Sequence, residues 1–100
     1  MIQHTILFKF INTIDDVDKE NKIKRMQSAF GNLKSKIDVV KSYVIGVNSK
    51  KTDFSYDLAI TSEYESWEDL EYYLKHPEHQ NAISLCKDIK KEKAVIDYEF

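Results

Sequence analysis

The feature that most constrains this chain is a side-chain repeat of two at both of its ends, with helical periods between. In residues 2–10, Ile2, His4, Ile6, Phe8 and Phe10 fall on one side and Gln3, Thr5, Leu7 and Lys9 on the other. That alternation is the pattern of a strand with one buried face, and it points His4 where the apolar residues point. In residues 94–100, Ala94, Ile96, Tyr98 and Phe100 alternate against Val95, Asp97 and Glu99.

Between these ends the period changes. Thr13, Asp15 and Asp16 are suitable helix N-caps, and Ile23, Met26, Phe30, Leu33 and Ile37 then step by three and four, predicting one apolar stripe on a long helix. Gly31 lies within it at a cost of about 1 kcal/mol against alanine, so a bend or a close packing contact is expected there. Residues 39–47 hold four valines, an isoleucine and a tyrosine, a β-branched composition that predicts a strand. After a turn over Asn48 to Phe54, Tyr56, Leu58, Ile60 and Tyr64 alternate with Asp57, Ala59, Thr61 and Glu63. Ser66 followed by Asp69 resembles a capping box and opens a short helix with the stripe Trp67, Leu70 and Leu74, and Tyr73 beside it. His76 before Pro77 breaks the chain. Pro77 fits the first position of a new helix running through Ala82, Ile83, Cys86 and Ile89 and ending in Lys87, Lys90 and Lys91.

Strand, helix, strand, strand, broken helix, strand defines an α+β chain. Two helices cannot cover both faces of a four-stranded sheet, so the expected architecture is ferredoxin-like βαββαβ, an antiparallel sheet with helices on one face. No linker or repeat interrupts residues 1–100, which reads as a single domain. The opposite face would carry Gln3, Thr5, Leu7, Lys9, Asp57, Ala59, Thr61 and Glu63, either solvated or a self-association surface.

Composition narrows the function classes. Hydrophobic residues at 42% with twelve aromatics exclude disorder, and the apolar runs are too short for a membrane span. Fifteen basic against seventeen acidic residues, with Arg25 the only arginine, leave no electrostatic footprint for nucleic acid. Cys86 alone permits no internal disulfide, and the opening residues lack the order of a signal peptide, so a cytoplasmic protein is expected.

Few residues are placed for chemistry. His76 and His79 flank Pro77-Glu78, but the proline break means that they need not share a face, and no cluster of cysteines or carboxylates reinforces a metal site; none is expected. His79, at the third helical position, feels the positive end of the helix dipole, which favours a neutral ring able to accept a proton. The alternative is a structural histidine bonded to backbone or water. His4 is either a satisfied core residue or one that orients a ligand. Tyr73 contributes a core ring and a phenol that needs a partner, and Tyr56, Tyr64 and Tyr98 add further hydroxyl-tipped rings. With no P-loop, Gly-rich dinucleotide turn, nucleophile elbow or CxxC, no redox cofactor or haem is expected, and Cys86 reads as packing.

Taken together and in order, Met1 to Phe10, Tyr56-Asp57-Leu58, Glu65-Ser66, Tyr73, His76-Pro77-Glu78-His79 and Val95-Ile96-Asp97-Tyr98 resemble the stress-responsive α/β-barrel (Dabb) domain family. The resemblance implies a ferredoxin-like protomer that pairs through its sheet into a dimeric α+β barrel, with a pocket between sheet and helices. A similar plant branch contains a cofactor-free polyketide cyclase. By that likeness His79 would be the base, Tyr73 would hold substrate and His4 would stand in the pocket, while Leu58 replaces another histidine of the cyclase branch. The expectation is a homodimer binding a small, partly apolar ligand near His4, Tyr56, Leu58, Tyr73 and His79. The alternative is a cofactor-independent lyase, cyclase or monooxygenase with His79 as general base.

Overall fold

The structure is a computed structural model and describes residues 1–11 and 13–100. The chain runs β1 (Ile2–Phe10), α1 (Asp16–Phe30), α2 (Leu33–Lys36), β2 (Ser42–Val47), β3 (Leu58–Tyr64), α3 (Trp67–Lys75), α4 (Pro77–Cys86) and β4 (Lys90–Glu99). The four strands form one sheet in the order β2-β3-β1-β4 with every pairing antiparallel. This is the expected ferredoxin-like arrangement, with the first and last strands side by side.

Alternation decides the two faces. Ile2, His4, Phe8 and Phe10 of β1 and Leu58, Ile60, Ser62 and Tyr64 of β3 are buried, and share the core with Ile23, Met26 and Phe30 of α1, Leu33 of α2, Leu70 and Tyr73 of α3 and Ala82 and Cys86 of α4. Pairing of Tyr43 with Ser62 and Ile45 with Ile60 settles which side of β2 turns inward. On the other face, Val44, Thr61, Thr5 and Ile96 form one row across all four strands. The apolar set of β4, Ala94, Ile96 and Tyr98, therefore points away from the helices, and Val44 and Ile96 are 59% and 60% exposed.

The helices depart from the sequence pattern where backbone chemistry overrides periodicity. The predicted long helix ends at Phe30: Gly31 caps it in the right-handed helical region, its N–H bonded to the Gln27 carbonyl, and a separate turn, α2, carries Leu33 into the core. Of the possible N-caps Asp15 is used, accepting from the Asp18 N–H at 2.8 Å. Ser66 caps α3 as expected, but Trp67 lies on the rim, 46% exposed, its indole donating to Glu99 at 2.8 Å, and Leu70 and Tyr73 form the buried side. The last helix stops at Cys86, earlier than predicted, and Lys90 and Lys91 belong to a β4 longer than the 94–100 segment.

One irregularity shapes β4. Lys9 pairs with Glu92 and Phe10 with Lys90, so β4 advances two residues while β1 advances one, leaving Lys91 as the extra residue of a bulge.

Candidate functional site

Between β1 and β4 on one side and α1 and α4 on the other lies a cavity of about 260 Å³. Its walls are mostly apolar, with Ile6, Phe8, Met26, Phe30, Ile60 and Val95 prominent among them. Its polar lining comprises His4 from β1, Asp97 from β4, Tyr73 from α3 and His79 from α4, together with Lys87, Lys90 and Lys93.

His79 occupies its place because of the proline. His76 ends α3, its Nδ1 accepts from the Glu78 N–H at 3.1 Å, and Pro77 supplies the first residue of α4. The chain turns sharply between Tyr73 and His79, whose ring centroids end 4.4 Å apart. His79 Nδ1 lies 2.9 Å from the Leu74 carbonyl oxygen, an acceptor only, so Nδ1 carries the proton and donates it. In the neutral ring Nε2 is then the acceptor nitrogen. Burial, first of all, holds the His79 pKa below the ordinary histidine value; the Leu74 bond opposes this, and the charges of His4 and Lys93 add to the lowering. The direction matches the sequence expectation, with desolvation as the main cause where a helix dipole was invoked.

Tyr73 belongs to a cluster of phenols. Its hydroxyl is 2.9 Å from that of Tyr43, its ring centroid is 5.3 Å from that of Tyr64, and Tyr64 donates to Ser62 at 3.0 Å. Desolvation raises all three phenol pKa values, Tyr43 to about 12 and Tyr73 furthest. These groups stay protonated, and serve as hydrogen-bond donors and acceptors rather than bases. His4 Nδ1 meets the Asp97 carboxylate at 2.5 Å, a contact that fixes the imidazole on the cavity wall, and its ring centroid is 6.5 Å from that of Tyr73. Among the described residues no buried side-chain nitrogen or oxygen lacks a partner, so these polar groups are held in place.

His4, Tyr73 and His79 thus line one space. Leu58 and Tyr56 are not among its lining residues. Leu58 faces inward but is fully buried in the core. Tyr56 precedes β3 instead of continuing its alternation: Asp57 bends the chain, its carboxylate accepting the Phe10 N–H at 2.7 Å, and the Tyr56 ring sits under the Lys9 ammonium at 4.8 Å. Tyr98 lies on the opposite face. Asp97 lines the space, and Tyr43 and Ser62 lie behind it as partners of Tyr73 and Tyr64; sequence reading assigned none of the three. The signal for Asp97 was present, since a β1-β4 pairing sets the first strand's histidine opposite it. Cys86 lines the cavity as a thiol whose pKa burial raises. Among the described residues no group of three or more His, Cys, Asp or Glu could hold a metal ion, and no helix is long and apolar enough to cross a membrane.

Residues 2–100 match the model of the stress responsive A/B barrel domain, Dabb. The chain belongs to this family. It is 29% identical over 100 residues to an uncharacterized protein of Streptomyces coelicolor, the match covering 100% of both chains. A dimeric protein of unknown function and ferredoxin-like fold from Bacteroides fragilis is 28% identical, with a TM-score of 0.87 over 99% of this chain and 95% of that one. At 14% identity, a hydroxynitrile lyase from Passiflora edulis shares the fold, with a TM-score of 0.78 over 97% of this chain and 90% of that one. The Dabb fold therefore frames the cavity, and the side chains that line it are this chain's own.

Proposed function

We propose that this Dabb protein is a cytoplasmic homodimer that binds a small, partly apolar molecule in the cavity between sheet and helices. The observation that carries the reading is an apolar-walled space, near the small end of the usual range for ligand sites, into which His4, Asp97, Tyr73 and His79 converge from four elements. A space of this kind, apolar-walled and open to water on one side, has room for a small organic molecule. The dimer is supported by the exposed row through Val44 and Ile96, and by the dimeric Bacteroides fragilis relative.

The state of His79 favours a second, catalytic reading at the same site. A neutral imidazole with Nδ1 committed to Leu74 presents Nε2 as a proton acceptor. Nε2 would take a proton from a carbon next to a carbonyl group of the bound molecule, and the electron pair of the broken C–H bond would form the enolate, its charge on the carbonyl oxygen that accepts a hydrogen bond from Tyr73. The imidazolium so formed is disfavoured by burial and by Lys93, so the proton is returned within the same cycle. His4, held by Asp97, orients the molecule.

Native mass spectrometry of protein purified from its own host tests the binding reading. The expected spectrum is a dimer carrying a retained organic molecule, which an Ile83→Trp variant, filling the cavity from its half-open side, loses. Bare chain masses for both proteins contradict it.

A further inference from the structure

We propose that the molecule bound here is an organic anion, its carboxylate or equivalent group held by Lys87, Lys90 and Lys93 and its apolar body lying against Ile6, Phe30 and Ile83. This rests on the cavity being a ligand site and adds the charge of the ligand. All three lysines line the cavity and are solvent-exposed, so they stand where it opens to water. No carboxylate of the described residues lies within ion-pair distance of them, which is also true of Lys24, Lys34, Lys50, Lys51 and Lys91, but only Lys87, Lys90 and Lys93 line the cavity. The one carboxylate lining the cavity, Asp97, is engaged by His4. A chain of net charge −2 thus gathers unpaired positive charge at the edge of its apolar cavity.

Helix electrostatics account for only one of the three. Lys87 follows the end of α4 and complements its dipole, an effect that falls off within the last turn. Lys90 and Lys93 lie on β4, and three residues apart on a regular strand they would point to opposite faces. The bulge at Lys91 removes that conflict: Lys90 pairs with Phe10 and Lys93 with Phe8, and both partners belong to the inner face. Bulges re-aim side chains beside functional sites, and this one brings two lysines to one opening. Mixed polarity inside with positive charge outside fits a molecule with an apolar body and one anionic end.

The test compares hydrocinnamate with its uncharged amide, hydrocinnamamide, by NMR titration of the Ile6, Leu74 and Ile83 methyl groups. Hydrocinnamate is expected to bind at least about tenfold more tightly, a preference that shrinks with added salt. In a Lys87→Gln/Lys90→Gln/Lys93→Gln variant, whose substitutions are all at exposed positions, the two affinities should converge. Equal binding of acid and amide to the native protein overturns the anionic assignment and leaves the cavity reading standing. A preference that survives the triple substitution overturns the lysines as its source. If neither probe moves the methyl resonances, the cavity reading falls and this inference with it.

Discussion

Tyr73 and His79 are six residues apart, on different helices, and their ring centroids stand 4.4 Å apart because Pro77 starts a new helix between them. The pair joins the two polar systems of the cavity, the phenol cluster behind Tyr73 and the imidazole tied to Leu74.

Tyr73→Phe keeps the ring packing and removes the hydroxyl that Tyr43 meets at 2.9 Å. Leaving the largely buried Tyr43 hydroxyl without that partner should cost about 1–2 kcal/mol of stability, read by urea denaturation. Combining Tyr73→Phe with Tyr43→Phe should cost less than the sum of the single changes. Additive losses would show that the two hydroxyls do not act as a pair.

The lowered His79 pKa has a signed consequence for stability. The unfolded chain protonates this histidine first, near the ordinary value of about 6.5, so the native state gains its full contribution above that pH and loses it as pH falls through the folded value. Unfolding free energy measured between about pH 8 and 5 should drop toward acid, and His79→Gln should flatten the drop. An unchanged slope in the variant would assign the pH dependence to other groups.

Gly31→Ala separates two opposing effects. Helix propensity alone makes alanine better by about 1 kcal/mol. A Cβ at this position, however, would lie 2.4 Å from the Gln27 carbonyl oxygen, and backbone must shift to admit it. The expected outcome is a net loss of about 1–2 kcal/mol, read as a lower Tm. A stabilised variant would show that the helix end relaxes freely.

The sheet and the faces of β1 and β3 were legible in the sequence because period two holds along regularly paired segments, and the α3-α4 break was legible because proline has no N–H. What escaped depended on pairing. Asp97 is a polar position on a terminal strand until the register sets it opposite His4. The Lys91 bulge inserts one residue, which alternation cannot reveal. Tyr56 precedes β3, where the Asp57 carboxylate accepts a backbone N–H of β1 and the Tyr56 ring meets Lys9. His79 is more buried than a polar first-turn residue would be, so His79→Ala should affect folding as well as proton transfer, and Gln is the cleaner replacement.

The proposed homodimer makes a further expectation. Val44 and Ile96 are exposed on the face opposite the helices, so Val44→Glu/Ile96→Glu should leave the protomer folded and place two carboxylates in the proposed interface. Sedimentation should show dimer for the native protein and monomer for the variant. A variant that remains dimeric would place the contact elsewhere.

The most direct test of His79 as a neutral acceptor in a ligand cavity is the imidazole ¹⁵N spectrum of that residue near pH 7, recorded with and without the molecule recovered from the native protein. The expected spectrum has the proton on Nδ1, an unprotonated Nε2, and an Nε2 resonance that moves when the molecule binds. An imidazolium, a proton on Nε2, or a ring unaffected by the molecule would contradict it.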